Sequence, residues 1–327
     1  MIISRTPLRM SFVGGGSDLP SFYEKFGGAV LSATIDKYIF VTCNRKFDSG
    51  VRVSYSRTEE VSRVDQIQHP IVRAVMGFLD IEGGVEITTV ADVPSRGTGL
   101  GSSSSFTAGL LNVLHAFAGR HASPGRLAQE SCYVEIDLCG EPIGKQDQYA
   151  AAFGGVNLIE FLPDGRVDVS PVTMSVERRK RLFGGFIAFY TGITRSASQL
   201  LMIQGAEVAG DSAKQAALKR MVELTYVMRT EFISGSIDNV GPILDENWQL
   251  KKSLAGGISS GAIDHWYLAA RRAGATGGKL LGAGGGGFLL LYANEDRHDA
   301  IAAALSDLRR VEFGFEPVGS RIIFYDA

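Results

Sequence analysis

Cysteine and net charge are both scarce in this sequence. The 327 residues include three cysteines, Cys43, Cys132 and Cys139, and no two of them form a C-x-x-C pair. So few cysteines, in an odd number, argue against a disulfide framework and indicate a reducing compartment. We expect all three to be ordinary small residues of the core. The formal net charge is −2, so no basic excess points to nucleic acid or to an acidic membrane surface.

Long apolar runs are also missing. No segment approaches the ~20 apolar residues that are needed to span a bilayer. The first residues, MIISRTPLRMSF, lack the basic start and the long apolar stretch of a signal peptide. We therefore expect a cytoplasmic protein without a membrane partner. With 45% apolar and 21% charged residues, the composition is typical of a folded chain, and its length fits one large or two medium domains.

Strand-like and helix-like segments alternate irregularly along the chain. Residues 29–35 and 38–45 are rich in β-branched and aromatic side chains, which predicts two adjacent strands. Residues 196–253 have an almost wholly helical pattern. This mixture favours α+β layers over a doubly wound parallel sheet. A change in composition between residues 163 and 185 predicts a domain boundary near residue 170, with domains at 1–170 and 171–327.

Glycine is abundant, at 40 residues, and it is clustered. The most informative cluster lies in PSRGTGLGSSSSFT, residues 94–107, where three alternate glycines precede four serines and an apolar helical pattern. Glycine allows successive backbone N–H groups to converge on one point, and the helix adds its unpaired N–H groups and positive dipole end. The segment therefore predicts a site for a nucleotide phosphate.

Two other interpretations of this segment are weaker. A flexible Gly-Ser linker would not need Leu100 fixed between two glycines. A Walker A loop is excluded because that motif requires Gly-Lys-Ser/Thr, whereas Ser102 follows Gly101 here. Without that lysine, the phosphate charge has to be met by a metal ion, the helix dipole and basic residues elsewhere.

Two acidic residues flank a predicted chain reversal in EIDLCGEPIGKQDQY, residues 135–149. Glu135 lies near the end of one helical pattern, Gly140 and Pro142 interrupt it, and Asp147 opens the next. Such a pair can converge, so that one carboxylate holds a divalent metal ion and the other handles a substrate proton. From spacing alone, two solvated surface acids are the more frequent arrangement.

The N-terminal segment RTPLRMSFVGGGSDLP, residues 5–20, places Asp18 just after a glycine turn. A carboxylate on a rigid turn suits sugar hydroxyls, since it accepts two hydrogen bonds, and Arg9 could stabilise a nearby anion. A turn aspartate and a surface arginine are the alternative. In YTGITRSAS, residues 190–198, Arg195 stands among several hydroxyls, which fits a substrate phosphate; a helix cap with a solvated arginine is the alternative there.

A second glycine run, KLLGAGGGGFLLLY at residues 279–292, matches G-x-G-x-x-G. A strand rather than a helix follows it, so it is not a dinucleotide-binding fingerprint. We expect a tight loop that packs against the phosphate loop at a place where side chains would clash.

These segments occur in the order found in the small-molecule kinases that include galactokinase, homoserine kinase, mevalonate kinase and phosphomevalonate kinase. The chain resembles that family over residues 5–293, most specifically in Gly-Leu-Gly-Ser-Ser. The resemblance implies an α+β fold of two domains, the first like domain 2 of ribosomal protein S5 and the second ferredoxin-like. It also implies an ATP- and Mg²⁺-dependent sugar kinase, with no nucleic-acid partner and with a homodimer left open.

The resemblance also implies roles for individual residues. Asp147 matches the catalytic aspartate, as a base or as electrostatic support, and Arg9 matches its basic neighbour. Glu135 and Ser103 would ligate Mg²⁺, with Ser102 as the alternative serine. The ATP phosphates would contact Gly97, Gly99, Leu100, Gly101, Ser102, Ser103 and Ser104. The sugar would contact Asp18, Gly15, Gly16 and Ser17, then Thr191, Gly192 and Arg195, and then Gly284 and Gly285.

Departures from galactokinase point to one branch of the family. Galactokinases carry Gly-Glu-His-Thr-Asp-Tyr where this chain has GGGSDLP, and GGGSDLP, GKQDQYAAAFGG and YTGITRSAS look like the D-glycero-D-manno-heptose 7-phosphate kinases and related fucokinase domains. That branch implies phosphorylation of the anomeric hydroxyl for nucleotide-heptose and surface-glycan synthesis. Arg195 would hold the 7-phosphate, with Lys251 and Lys252 as weaker candidates. The alternatives are a kinase for L-fucose or another sugar, and a non-catalytic sugar and ATP sensor.

Overall fold

The structure is a computed structural model that describes residues 1–94, 97–194 and 196–326. Its strands, in chain order, are β1 (Ile2–Val13), β2 (Gly28–Arg45), β3 (Val51–Ser54), β4 (Thr58–Val61), β5 (Val85–Ala91), β6 (Val156–Phe161), β7 (Val167–Pro171), β8 (Phe186–Tyr190), β9 (Gly277–Leu280), β10 (Phe288–Tyr292), β11 (Arg309–Val311) and β12 (Arg321–Tyr325).

The helices are α1 (Pro20–Phe26), α2 (Pro70–Phe78), α3 (Ser102–Phe117), α4 (Pro124–Cys132), α5 (Gln146–Phe153), α6 (Val176–Gly184), α7 (Ala197–Gly210), α8 (Ser212–Ile233), α9 (Val240–Ser253), α10 (Gly261–Arg272) and α11 (His298–Ala304). A π-helical stretch, Tyr133–Leu138, continues α4. No helix in the described ranges is both long enough and apolar enough to cross a membrane.

The larger sheet has the order β12-β1-β2-β5-β3-β4, and β6 also pairs with β2 and with β7. Antiparallel β1 and β2 form its centre, and α3 and α5 pack on them. The last strand, β12, returns from the chain's end to pair with β1. This sheet therefore contains residues from both sides of position 170, and the division into 1–170 and 171–327 stays a prediction.

The smaller sheet is antiparallel, with the order β11-β8-β10-β9. Helices α7 to α10 lie between β8 and β9 in the chain, and α11 lies between β10 and β11. That order of elements is the βαββαβ arrangement of ferredoxin-like layers. The predicted α+β class is confirmed.

The two sheets share apolar contacts. The ring of Phe12 on β1 stacks on Phe186 of β8 at 5.0 Å and meets Phe232 of α8 edge-on at 5.3 Å. All three rings are buried. Aromatic pairs of this kind add about 0.5–1.5 kcal/mol beyond the area that they bury, so the end of β1 is held firmly just before the Gly14–Gly16 turn.

The segments 29–35 and 38–45 form one continuous strand rather than the two that the sequence predicted. Pro7 pairs with Tyr38 and Leu8 pairs with Ile35, so Asp36 and Lys37 bulge out of the ladder without ending it. The carboxylate of Asp36 accepts a hydrogen bond from the Gly314 N–H at 2.7 Å. A contact this distant in sequence explains why the polar dipeptide does not break the strand.

Candidate active site

One cavity of about 1150 Å³ brings most of the predicted site residues together. Its walls come from β1, the turn before α1, the starts of α3, α5 and α7, and residues 279–283. Among the predicted residues, those that line it are Arg9, Gly15, Gly16, Asp18, Gly97, Gly99, Gly101, Ser102, Ser103, Ser104 and Asp147. Residues separated by more than a hundred positions therefore face a common space.

The glycine loop has the backbone geometry that its sequence predicts. Gly97, Gly99 and Gly101 have φ values of 69°, 74° and 75°, a left-handed region that L residues other than glycine rarely occupy. Helix α3 starts at once with Ser102, and its N-cap, Gly101, provides no side-chain hydrogen bond. The first-turn N–H groups and the positive end of the helix dipole are thus available to an anion in the cavity.

The second glycine run packs directly on this loop, as the sequence predicted. A Cβ atom on Gly99 would lie 2.3 Å from the carbonyl oxygen of Leu281, and one on Gly282 would lie 2.5 Å from the Cα of Gly99. A Cβ on Gly287 would lie 2.4 Å from the Thr98 carbonyl oxygen. The two backbones approach so closely that only hydrogen atoms fit between them. The glycine run therefore fixes the loop's shape from behind.

Arg9 and Asp147 form a two-point ion pair beside the loop. Nε and one terminal nitrogen of Arg9 donate to the two carboxylate oxygens of Asp147 at 2.7 and 2.6 Å. The other terminal nitrogen donates to the Gly99 carbonyl at 2.5 Å. The Arg9 side chain is 4% exposed and that of Asp147 is 25% exposed, so the carboxylate faces the cavity while the guanidinium holds it from behind.

Glu135 lies behind Ser103 at the start of α3. Its carboxylate accepts hydrogen bonds from the hydroxyls of Ser103 at 2.9 Å and Ser104 at 2.7 Å, and from the Gln148 side-chain amide at 2.6 Å. Within the described residues it has no ion-pair partner, and burial raises its pKa. Ser102 bonds the Thr98 hydroxyl instead, at 3.2 Å, so the two serines next to Glu135 are Ser103 and Ser104.

Asp18 is held rigidly at the cavity wall. One carboxylate oxygen accepts from the Gly16 N–H and the Gln146 side chain, both at 3.0 Å, and the other accepts from the Gln146 N–H at 3.2 Å. Burial and then the nearby charge of Asp147 raise the pKa of Asp18. Gly144 leaves room for this carboxylate, because a Cβ there would lie 1.9 Å from it.

Several predicted substrate residues link loops together instead of lining the cavity. The Thr191 hydroxyl donates to the Gly287 carbonyl at 2.8 Å, and the Gly285 N–H donates to the Ile258 carbonyl at 2.9 Å. A Cβ on Gly284 would meet that carbonyl oxygen at 2.8 Å, whereas one on Gly192 would have open space. Roles for these four residues in substrate binding stay a prediction.

Two other predicted residues, Ser17 and Leu100, are held by hydrogen bonds to the backbone. The buried Ser17 hydroxyl bonds the N–H and the carbonyl of Ala29, both at 3.1 Å. The Leu100 side chain is buried, and its carbonyl accepts from the Arg9 N–H at 3.1 Å. Ser17 and Leu100 thus fix the turn and the loop. Arg195 lies outside the described residues.

From the sequence, Lys251 and Lys252 were only weaker candidates for binding the 7-phosphate, and Lys279 was not identified. The ammonium groups of Lys251 and Lys279 are buried in the cavity wall, whereas Lys252 faces away and pairs with Asp264 at 3.3 Å. Lys279 lies three residues before the first glycine of the second run, and this was the only local signal that could have drawn attention to it.

The far part of the cavity is aromatic. The Tyr55 and His69 rings meet edge-on at 4.8 Å, and Phe106 of α3 lies 5.2 Å from His69. Ile71 and Val93 also line the cavity. An apolar, partly aromatic wall that includes Phe106, four residues after Ser102 on α3, has the polarity that a nucleotide base requires.

Fold and site together define a two-domain kinase for a small molecule. Two family models match the chain: GHMP kinases N terminal domain, over residues 69–155, and GHMP kinases C terminal, over residues 228–309. The chain belongs to the GHMP kinase family, and it is a sugar kinase.

Three similar proteins indicate which sugar kinases this chain resembles. The chain is 29% identical to the D-glycero-alpha-D-manno-heptose 7-phosphate kinase of Campylobacter jejuni, with 93% of each chain covered. It is 28% identical to the bifunctional fucokinase/GDP-fucose pyrophosphorylase of Arabidopsis thaliana, over 88% of this chain and 29% of that protein. Its fold matches the crystal structure of a D-glycero-D-manno-heptose 1-phosphate kinase from Bacteroides thetaiotaomicron with a TM-score of 0.81, 22% identity and 100% coverage of both chains.

Proposed function

We propose that this protein transfers the γ-phosphoryl group of ATP to the anomeric hydroxyl of D-glycero-D-manno-heptose 7-phosphate and forms the 1,7-bisphosphate. The similarity to the Campylobacter jejuni kinase across 93% of both chains supports this choice of sugar. The observation that carries the chemistry is the Arg9–Asp147 pair at the edge of the glycine loop. The product would serve nucleotide-heptose and surface-glycan biosynthesis in the cytoplasm.

ATP would occupy the cavity from the aromatic side chains to the start of α3. The backbone of residues 97–101 and the first turn of α3 would bind the phosphates. Glu135 and Ser103 fit Mg²⁺, because both supply oxygen ligands and Glu135 is a buried carboxylate without an ion pair in the described ranges. A Mg²⁺ ion held by these two residues would supply positive charge to the phosphates of the nucleotide.

Asp147 faces the place where the sugar hydroxyl has to meet the γ-phosphate. Its carboxylate can accept the hydroxyl proton or stabilise the attacking oxygen electrostatically. An anomeric hydroxyl is more acidic than an ordinary alcohol and needs only a modest base. The two hydrogen bonds from Arg9 fix the carboxylate's direction, and positioning is most of what phosphoryl transfer asks of a protein.

Asp18 would hold the sugar ring. Its three N–H donors fix both oxygens in place and leave lone pairs that can accept bonds from hydroxyl groups. Gly15 and Gly16 border the same space. From the sequence pattern alone, Arg195 would contact the 7-phosphate.

A kinase for L-fucose is the second candidate, because the match to the plant fucokinase extends over 88% of this chain. Measuring ADP release with Mg-ATP separates the two. The acceptor panel is D-glycero-D-manno-heptose 7-phosphate, mannose 6-phosphate, sedoheptulose 7-phosphate, L-fucose, galactose and mevalonate. A kcat/KM for the heptose phosphate well above all others supports the proposal, whereas a preference for L-fucose overturns it and leaves the sugar kinase intact.

A further inference from the structure

Two buried lysines in the cavity wall form no ion pair with a carboxylate of the described residues. The Lys251 ammonium donates to the Gly15 carbonyl at 3.2 Å and to the Gln204 side-chain oxygen at 2.8 Å. The Lys279 ammonium donates to the Ser11 carbonyl at 2.8 Å. Within the described residues no Asp or Glu comes into ion-pair distance of either, and both side chains are at most 5% exposed.

A buried ammonium group without an opposite charge beside it is unfavourable, since burial removes the water that would stabilise the positive charge. Burial lowers the pKa of Lys251 to about 8. Burial, followed by the neighbouring charges of Lys251 and Arg9, lowers the pKa of Lys279 well below its usual range. A bound anion would favour the charged form of both lysines, so this part of the wall suits a ligand that carries negative charge.

Two further polar atoms at this place lack partners among the described residues. They are the hydroxyl oxygen of Ser11 and the side-chain oxygen of Gln146, and both residues line the cavity. A Cβ atom on Gly15 would lie 3.5 Å from the Ser11 hydroxyl and 3.7 Å from the Gln146 amide nitrogen. A side chain at position 15 would therefore occupy the part of the cavity wall that lies beside these two groups.

The position of this cluster indicates which substrate it serves. Lys251 contacts the Gly15–Gly16 turn, and the charge of Asp18 acts on it; both belong to the turn that precedes α1. The N–H groups for ATP lie instead on α3, next to Ser103 and Glu135. Lys251 thus lies with the residues assigned to the acceptor sugar, while the charge of Arg9 acts on Lys279 from the side of Asp147.

We propose that Lys251 and Lys279, together with Ser11, bind the phosphate group that the acceptor sugar already carries, and that Lys251 determines the preference for a phosphorylated sugar. This inference rests on the proposed function, because a free sugar has no such phosphate. Hydrogen bonds to charged groups contribute about 1.5–3 kcal/mol each, which corresponds to roughly 10- to 150-fold in affinity.

The test compares D-glycero-D-manno-heptose 7-phosphate with the same heptose lacking the phosphate. For Lys251→Met we expect the preference for the phosphorylated over the free heptose, taken as the ratio of their kcat/KM values, to fall by about 10- to 100-fold. Lys252→Met is the matched control. It removes the same charge from the next position of α9, where Lys252 pairs with Asp264, and it should leave both sugars unaffected.

A second variant, Gly15→Ala, tests the space itself. The added methyl group meets its neighbours at ordinary contact distances, so the variant should fold, and it should also raise the KM of the phosphorylated sugar. Lys251→Met removes a buried charge but also removes the donor to the Gly15 carbonyl and the Gln204 side-chain oxygen, so its melting temperature is measured to verify that the variant is folded at the assay temperature.

The outcomes separate the inference from the proposed function. If the wild type does not prefer the phosphorylated heptose, the proposed function fails and the subsite fails with it. If the wild type does prefer it but Lys251→Met keeps that preference, only the subsite assignment is overturned. An equal loss of kcat/KM on both sugars would place Lys251 at the transferred phosphate and would also contradict the inference.

Discussion

Arg9 binds both carboxylate oxygens of Asp147 while its third nitrogen bonds the Gly99 carbonyl of the glycine loop. In the proposed function, one guanidinium thus connects the residue that would face the sugar with the loop that would face the nucleotide. Because a guanidinium is planar and its donors have fixed directions, the position of Asp147 relative to the loop is set in advance. The distance between the two substrates is therefore built into β1, on which Arg9 lies.

We expect Asp147→Asn to reduce kcat about 10²- to 10⁴-fold if the carboxylate acts as a general base. An amide has nearly the same shape but neither the negative charge nor the basicity of a carboxylate, so substrate binding should change much less. Steady-state ADP release, with KM determined for both substrates, checks this. A loss of less than tenfold would show that Asp147 does not take the proton.

The matched control for that experiment is Asp137→Asn. Asp137 is exposed and lies ten positions before Asp147, so its variant makes the same chemical change outside the cavity. Its kcat should equal that of the wild type. Similar losses in both variants would point to a general effect of charge on the enzyme.

We expect Glu135→Gln to weaken the response to Mg²⁺ without reducing stability. Burial raises the pKa of Glu135. The protein therefore loses stability as the pH rises above the ordinary pKa of glutamate, because the ionised carboxylate is disfavoured in the folded state. An uncharged amide avoids this loss. The Gln148 side-chain oxygen has no partner in the described structure and can accept from the new amide. The half-saturating Mg²⁺ concentration should rise about tenfold or more, while the melting temperature stays the same or rises.

A magnesium titration of ADP release and a thermal melt at pH 7 test this pair of effects. Ser131→Ala is a suitable control, because Ser131 is also buried in the helix that leads to Glu135 and its hydroxyl has no partner in the part of the chain described. An unchanged magnesium titration for Glu135→Gln would remove Glu135 from the metal site.

The glycine loop and the fold class were predictable because their signals are local. Alternate glycines followed by a helical pattern specify left-handed backbone and a helix N-terminus within a few residues. The approach of Asp147 to the loop was predictable only through the family resemblance. The bulge at Asp36 and Lys37 was not predictable, because its partner, Gly314, is 278 residues away.

The lysine cluster shows the same limit. Lys279 reaches Ser11 across 268 residues, and Lys251 reaches Gly15 across 236. A lysine near the end of a helix normally indicates a solvated side chain, and nothing near Lys251 in the sequence distinguishes it from Lys252. Only the folded chain separates them, by burying one and pairing the other with Asp264.

We expect Gly99→Ala to destabilise the protein and to raise the KM of ATP. The substitution puts a methyl group 2.3 Å from the Leu281 carbonyl oxygen at a φ of +74°, so either the loop or the second glycine run has to move. Gly119→Ala is the control, since Gly119 has a φ of +69° but open space around its Cβ position. The control isolates the backbone strain, which costs about 1–2 kcal/mol.

Urea unfolding and ATP titrations of both variants measure the difference. Gly99→Ala should lose clearly more unfolding free energy than Gly119→Ala, and only Gly99→Ala should change the KM of ATP. Equal losses in the two variants would mean that the loop and the glycine run are not tightly packed.

The pH dependence of sugar binding should carry the signature of Lys251. The pKa of this group is lowered from 10.5 to about 8 in the free protein. The phosphate of the sugar is already doubly charged above its second pKa of about 6, so between pH 7 and 10 the changing charge belongs to the lysine. Its titratable neighbours are Asp18, which favours the ammonium form of Lys251, and Lys279, whose own pKa burial lowers well below its usual range.

Above pH 8 we therefore expect the KM of the phosphorylated sugar to rise, by up to about tenfold per pH unit, while the KM of the free sugar stays level. The stability of the free protein should instead increase over this pH range. The unfolded chain keeps the proton of Lys251 up to about pH 10.5, so the free energy of unfolding gains a favourable contribution between pH 8 and 10.5. Lys251→Met should remove both slopes, and Lys252→Met should retain them. If KM rises equally for the phosphorylated and the free sugar, the titrating group is not in contact with the phosphate.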